Sequence, residues 1–241
     1  MQHYFVEKRV EDKFYFHKDD EHHIRHVMRF HHGDEVACLF EGKKFLCRLV
    51  LTKDSLYASL VSEQESLVRD LKINLVQALT KGDSFELILQ KATELGVSKI
   101  IPYFAKHSVV KLDDKSIPKK LLRWQKILKE ASEQAERLSI PLIFEPCKMA
   151  DLKPYLKGLV ILADERLGRK KEPSLVSVLK QNPSEEVTII IGPEGGFCME
   201  EFDCFYSLGA KGVSLGPRIL RAETAAIAAL TLIMSFMECG R

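Results

Sequence analysis

From Ile73 to Leu79 the chain is apolar at every position but two, Asn74 and Gln77. A short run of that density is the pattern of a strand buried on both faces. The next segments repeat the theme. Asp83 and Glu86 read as an N-terminal capping pair, Phe85, Ile88, Ala92 and Leu95 then recur at helical spacing, and Gly96 is a natural stop. Further strands are predicted at 98–103, 142–145, 159–163, 187–191 and 212–215, and helices at 119–138, 199–207 and 222–237. The 119–138 helix carries Leu121, Trp124, Leu128, Ala131, Ala135 and Leu138 on one stripe. Strand alternating with helix specifies an α/β domain with a largely parallel sheet.

The pattern before residue 70 is different. Strands are expected at 2–6, 13–17, 35–40, 44–51 and 56–61, with Glu41-Gly42 as a tight hairpin between the third and fourth. A short helix opens at Asp19-Asp20-Glu21, presents Ile24, Val27 and Met28 on one face and breaks at Gly33-Asp34. Five short strands and a small helix suggest a small β-barrel. The boundary falls between Glu65 and Leu71, dividing the chain into 1–70 and 71–241.

Composition narrows the function classes. With 46% apolar and 29% charged residues, the 241-residue chain has the make-up of a soluble globular protein. The longest strongly apolar stretch, Ala225 to Met237, is too short to span a bilayer, so no membrane association is expected. No basic, then apolar leader opens the sequence, and none of the six cysteines is spaced C-x-x-C, which points to a cytoplasmic protein without a disulfide framework or zinc ribbon. His22 and His26 stand four apart but lack a third ligand in a recognisable motif, so no metal is expected. The net charge of +2 conceals an uneven spread. Residues 1–70 carry 11 Lys/Arg against 13 Asp/Glu, residues 71–158 carry 16 against 10, and residues 159–241 carry 9 against 11. The basic excess in the middle third favours a polyanion such as nucleic acid.

Two stretches carry chemistry. Ile189-Ile190-Ile191-Gly192-Pro193-Glu194-Gly195-Gly196-Phe197 is a buried strand ending in a turn with three glycines, where a ligand can approach the backbone closely. It is neither a dinucleotide fingerprint nor a Walker loop, and Glu194 repels phosphate. The second is Leu215-Gly216-Pro217-Arg218-Ile219-Leu220-Arg221-Ala222-Glu223-Thr224-Ala225. Glu223 suits a helix N-terminus and Thr224 is a possible cap, but Arg221 opposes the helix dipole there, so an anionic substrate is its simplest reward.

Together these stretches resemble the RsmE family, 16S ribosomal RNA uridine-N3 methyltransferases of the SPOUT superfamily. Further matches run along nearly the whole chain: Lys81-Gly82-Asp83, Gln90 through Val97, Ser108 through Lys111, Arg123 through Ile127, Glu133-Gln134 with Arg137, and His22-His23-Ile24 with Val27-Met28-Arg29. The family usually carries an arginine near position 3, where this chain has His3. The resemblance implies a PUA-like β-barrel at 1–70 and a SPOUT α/β domain at 71–241, tied in a trefoil knot. It implies bent S-adenosylmethionine on three loops, with Leu162, Ala163, Gly192, Pro193, Gly195, Gly196, Leu215, Gly216, Ile219, Leu220 and Thr224 as cofactor contacts. It also implies a homodimer acting on 16S rRNA of the small ribosomal subunit. Uracil N3 holds a proton, so the reaction needs a base or stabilisation of the uracil anion. Arg221 is the first candidate for the stabilising role, and Glu194 or Glu223 is either the base or the group that orients Arg221. Arg25, Arg29, Lys81, Arg123, Gln134 and Arg137 are the expected RNA contacts. The competing readings are a methyltransferase acting on another rRNA or tRNA base and a non-catalytic RNA-binding protein.

Overall fold

The structure is a computed structural model that describes every residue except 54, 67–70, 111, 114, 171, 172, 240 and 241. Lys111 of the family match and the boundary placed after residue 70 lie outside the described residues. The chain separates into two compact units, Met1–Asp70 with Lys129–Ile140 and Leu71–Leu128 with Pro141–Arg241.

The first unit holds β1 (His3–Phe5), β2 (Lys8–Val10), β3 (Lys13–Tyr15), α1 (Lys18–His22), β4 (Glu35–Phe40), β5 (Lys43–Leu51) and β6 (Leu56–Gln64). They form one six-stranded sheet in the order β1-β4-β5-β6-β3-β2. That is one strand more than expected, because the turn at Glu11-Asp12 folds Lys8–Val10 back onto β3. The β4–β5 hairpin turns at Glu41 and Gly42, both at positive φ (49° and 73°), as a two-residue turn that follows the strand twist requires. Alternate residues of these strands bury Tyr4, Phe14, Val36, Cys38, Phe45, Cys47 and Leu49 in one cluster with Ile24. The expected amphipathic face 24/27/28 is not made. After α1 the chain widens into a π-turn over His23–Val27, so only Ile24 is buried, and Val27 and Met28 turn outward.

A buried charge cluster ties Lys129–Ile140 to this sheet. The Lys129 ammonium lies 2.6 Å from Asp20 and 2.9 Å from Glu133, while Glu133 also accepts the Phe5 N–H at 3.0 Å. Burial raises the Glu133 pKa, and the Lys129 charge works against that rise. Lys44 pairs with Glu136 at 2.8 Å, and His3 is buried 3.6 Å from the same carboxylate.

The second unit is built on β7 (Lys72–Ala78), α2 (Ser84–Glu94), β8 (Lys99–Tyr103), α3 (Ile117–Gln134, whose last turn belongs to the first unit), β9 (Leu142–Ile143), α4 (Met149–Leu152), β10 (Leu159–Ala163), α5 (Leu175–Gln181), β11 (Glu186–Ile191), α6 (Met199–Ser207), β12 (Lys211–Val213) and α7 (Ala222–Cys239). All five strand pairings are parallel, in the order β12-β10-β11-β7-β8-β9. Ile73 to Ala78 is buried at every position, as the continuous apolar run requires. Val76, Ala78, Ile101, Leu162 and Ile190 pack against Phe197, Phe202 and Phe205. Ala226, Ala229, Leu230 and Ile233 are buried along α7, which packs on β11, α2 and α5.

Three features differ from those expected of the sequence. Asp83 stands at the α2 N-cap in a helical conformation and its side chain caps nothing; Glu86 instead binds Arg123 at 2.6 Å. The long helix α3 stops at Gln134, because Glu136 adopts positive φ (55°), which ends helical hydrogen bonding. Arg137 therefore does not share a helical face with Gln134, and it is 3% exposed, which removes it from any exposed RNA track. The short helices α4 and α5 are additional, each too brief for its period to stand out in the sequence.

Candidate active site

In sequence order β10 is followed by β11 on one flank and β12 on the other, so the strand order reverses at β10. In open α/β sheets the crevice outside the carboxyl ends at such a reversal is where ligands bind. A cleft lies there, enclosing about 630 Å³ including its open mouth. It is lined by residues that follow β10 (Ala163, Asp164, Glu165), β11 (Gly192, Pro193, Glu194, Gly196) and β12 (Leu215, Gly216, Arg218, Ile219, Leu220), and it is floored by Ile191, Ala222 and Ala225.

Each wall is held by its own contacts. The glycine turn is closed by the Gly196 N–H donating to the Pro193 carbonyl at 3.0 Å. Gly196 sits at φ +68°, which favours glycine, and a Cβ there would lie 2.8 Å from Glu165 Oε1, the end of a side chain that can swing aside. Glu194 Oε1 accepts the Lys81 backbone N–H at 2.9 Å, which ties this turn to the loop after β7. Beneath it, the buried Glu201 carboxylate accepts from Tyr103 Oη (2.7 Å), the Lys106 N–H (3.0 Å) and the Cys198 N–H (2.9 Å). Burial alone pushes the Glu201 pKa up, but these donors hold it below the usual carboxylate value.

The wall after β10 is anchored by Asp164, only 2% exposed. Its carboxylate accepts from Arg166 Nε (2.9 Å), Arg166 Nη2 (2.6 Å) and Tyr206 Oη (2.7 Å). Against the cost of burial these bonds hold Asp164 ionised below its ordinary pKa, and they help burial push Tyr206 up to about 12. With both oxygens engaged, Asp164 shapes the wall, and Glu165 is its free carboxylate.

The structure brings together most of the residues singled out from sequence. Ala163, Gly192, Pro193, Glu194, Gly196, Leu215, Gly216, Ile219 and Leu220 all line the cleft. Leu162, Gly195 and Thr224 do not: Leu162 is fully buried in the core, Gly195 faces His107, and Thr224 is exposed on α7. Arg221 is the exposed residue preceding α7, and its carbonyl accepts the Ala225 N–H at 2.8 Å. Its chain neighbours Leu220 and Ala222 are on the lining, and Arg221 itself is not. Glu223, half-buried in the first turn of α7, is not on the lining. Asp164, Glu165 and Arg218, which lie on the three loops that the family resemblance implies, line the cleft as well.

The expected RNA contacts are dispersed. In the first unit Arg25 donates to the carbonyls of Thr52 and Ser55 (3.2 and 3.0 Å), while Arg29 and Gln134 are exposed. In the second unit Arg123 is paired with Glu86, and the Lys81 side chain is exposed. Among the described residues no group of three or more His, Cys, Asp or Glu is placed to hold a metal, and no helix is long and apolar enough to cross a membrane.

The sequence pattern of the RNA methyltransferase domain matches residues 68–234, and that of the RNA methyltransferase PUA domain matches 18–61. The ribosomal RNA small subunit methyltransferase E of Bacillus subtilis is 36% identical over 97% of this chain and 96% of its own length. The chain belongs to the ribosomal RNA small subunit methyltransferase E family. The family member from Mesomycoplasma hyopneumoniae is 32% identical over 96% of this chain and 98% of its own. The crystal structure of the Neisseria gonorrhoeae family member, bound to S-adenosylmethionine, superposes with a TM-score of 0.85 at 26% identity, covering 98% of both chains. The methyltransferase E architecture accounts for both units, a PUA-like first domain and a SPOUT-like parallel-sheet domain.

Within this family site, Glu194 is a clamp between two loops. Replacing it with alanine frees the Lys81 N–H, and an exposed charge-assisted hydrogen bond contributes about 1.5 kcal/mol at most. Cofactor affinity, read by calorimetry, should fall by up to about tenfold. Unchanged affinity would contradict the clamp, and turnover lost beyond the fall in affinity is expected if Glu194 also takes the uracil proton.

Proposed function

We propose that this chain transfers a methyl group from S-adenosylmethionine to N3 of a uridine in 16S rRNA of the small ribosomal subunit. The observation that carries the reading is the convergence of three strand-end loops on one cleft. The residues present fit the cofactor. The turn at Gly196 carries no side chain and has only the Glu165 carboxylate beside it, so its backbone is open to a ligand. Glu165 and Glu194 on the lining complement a cationic sulfonium and disfavour a phosphate. Ala163, Gly192, Pro193, Gly196, Leu215, Gly216, Ile219 and Leu220 would hold it, the trefoil knot implied by the family resemblance being part of this arrangement.

When bound, the cofactor supplies an electrophilic methyl group on sulfonium sulfur. The chain's task is to align the uracil nitrogen with it and to make that nitrogen nucleophilic. Loss of the N3 proton leaves negative charge on the ring, and Arg221, exposed beside two lining residues, is the group assigned to stabilise it. One oxygen of Glu194 is committed to Lys81, so its second oxygen is the available acceptor beside the cleft. Glu223 is off the lining and makes no ion pair with Arg221 among the described residues, so neither role is assigned to it. A uridine in folded RNA must leave its stack to enter such a cleft. The PUA-like domain positions the RNA, and the basic excess of residues 71–158 supplies the salt-dependent attraction. Titration calorimetry with S-adenosylmethionine tests the first half of this reading; saturable one-site binding is expected, and absence of binding contradicts it.

The reading includes a homodimer through α7. Beyond its buried stripe this helix presents Ala225, Ile227, Met234 and Met237 partly exposed and Leu232 at 40% exposure, and Ile219 at the cleft rim is 85% exposed. Light scattering at micromolar concentration should give twice the 27.5 kDa chain mass; a monomer would contradict this.

A further inference from the structure

Three carboxylates line the cleft, and two of them are engaged. Asp164 is held by Arg166 and Tyr206, and one oxygen of Glu194 accepts the Lys81 N–H. Glu165 is exposed on the lining and makes no hydrogen bond or ion pair among the described residues. Its Oε1 lies against the glycine turn, 2.8 Å from where a Cβ on Gly196 would stand. Its backbone, however, is gripped from both sides. The Asp164 carboxylate accepts the Arg166 backbone N–H at 3.0 Å, so Glu165 is the middle residue of a loop closed by a side chain. The Asp164 carbonyl accepts the Leu167 N–H at 3.1 Å, and the Asp164 N–H donates to the Val213 carbonyl on β12 at 3.0 Å.

Helix α6, which begins at Met199 just after the glycine turn, completes this grip. The Arg166 guanidinium lies 3.5 Å over the Phe202 ring and meets Met199 Sδ at 3.1 Å. Stacked in this way, a guanidinium still presents its fork to a carboxylate. The Tyr206 hydroxyl reaches Asp164 past Gly212 of β12, where a Cβ would collide with it. Met199, Phe202 and Tyr206 all belong to α6, so one helix adjoins the glycine turn and fixes the wall that carries Glu165.

A carboxylate held in place but left unpaired acts on a ligand through its charge. Methyl transfer leaves the S–C electron pair on sulfur, so a cationic sulfonium becomes a neutral thioether, S-adenosylhomocysteine. A fixed negative charge favours the first over the second. With Asp164 offset by Arg166, the described lining holds two carboxylates, Glu165 and Glu194, against one guanidinium, Arg218. We infer that Tyr206 and Arg166 are positioning residues that act through Asp164 on Glu165, and that Glu165 makes the cleft favour the sulfonium cofactor over the thioether product. The inference rests on the methyltransferase reading and deepens it, since it concerns how the same cleft tells its cofactor from what the cofactor becomes.

The test is titration calorimetry on the full chain with S-adenosylmethionine and, separately, S-adenosylhomocysteine. The quantity read is the ratio of the two dissociation constants, in which any general loosening of the cleft cancels. Glu165→Gln keeps the shape of the side chain and removes its charge. It should weaken S-adenosylmethionine binding about fivefold and change the thioether by less than about 1.5-fold. The shift should shrink in about 1 M salt, where the screening length is about 3 Å. Tyr206→Phe removes one hydrogen bond to Asp164 and keeps the ring, and it should move the ratio in the same direction by about twofold. Arg166→Lys, which loses the fork and the stacked plane, should do the same. A merely structural role would weaken both ligands alike and leave the ratio where it was. A ratio unmoved in Glu165→Gln overturns the inference. A ratio that moves in Glu165→Gln but in neither Tyr206→Phe nor Arg166→Lys overturns the positioning role. A wild type that binds neither ligand contradicts the methyltransferase reading itself.

Discussion

Arg221→Ala should lower methyl transfer to small-subunit rRNA by about 10²–10³-fold, the usual consequence of losing one preorganised group that meets developing charge. The physical reason lies in where the side chain stands. Arg221 is exposed, precedes the first turn of α7, and has no ion-pair partner among the described residues. A cation at a helix N-terminus is disfavoured by the dipole, so the isolated fold gains nothing from it. Alanine there should leave the melting temperature unchanged or slightly raised. Cofactor affinity should change little, because Leu220 and Ala222, not Arg221, line the cleft. The split between turnover and cofactor affinity is the diagnostic: near wild-type turnover makes Arg221 a surface residue, and parallel loss of both makes it a cofactor ligand.

Gly196→Val should abolish measurable S-adenosylmethionine binding. Two costs coincide at this position. A β-branched residue is strained at φ +68°, and its Cβ would lie 2.8 Å from the Glu165 carboxylate oxygen across the cleft. The turn must open or Glu165 must swing away, and either movement disturbs two of the three walls. The core beneath, where Phe197 packs on Phe202 and Phe205, is not touched by the new side chain. The variant should therefore stay folded, with native circular dichroism and a melting temperature lower by a few degrees. Undiminished affinity in the calorimeter would place the cofactor elsewhere.

Much of the second domain is legible in the sequence because its signals are local. The apolar run at Ile73–Leu79 marks a doubly buried strand, and the two glycine-bearing stretches mark two of the three cleft walls. The helix cap expected at Asp83 fails for a reason that is not local: Glu86, the partner a capping box needs, is taken by Arg123, thirty-seven positions away. The end of α3 is hidden because Ala135 and Leu138 continue the stripe, whereas the positive φ of Glu136 and its pairing with Lys44 are set by tertiary contact. The same contacts assign Lys129–Ile140 to the first unit, which no periodicity announces. This has a practical consequence. Deleting residues 1–70, a natural way to separate RNA placement from cofactor binding, would strip Asp20 from Lys129 and the Phe5 N–H from Glu133 and leave that charge cluster without its partners. In the cleft, the third wall at Asp164-Glu165 is visible in the sequence only through the family resemblance, since a carboxylate after a strand has no pattern of its own.

The most direct measurement is nucleoside mass spectrometry of small-subunit rRNA before and after incubation with the purified protein and S-adenosylmethionine, using subunits from a strain that lacks the protein. The account predicts that 3-methyluridine, absent at the start, appears and saturates near one residue per 16S rRNA molecule, and that Arg221→Ala slows its appearance without altering the product. Methylation of any other base or of a ribose, or no methylated nucleoside at all, would contradict it.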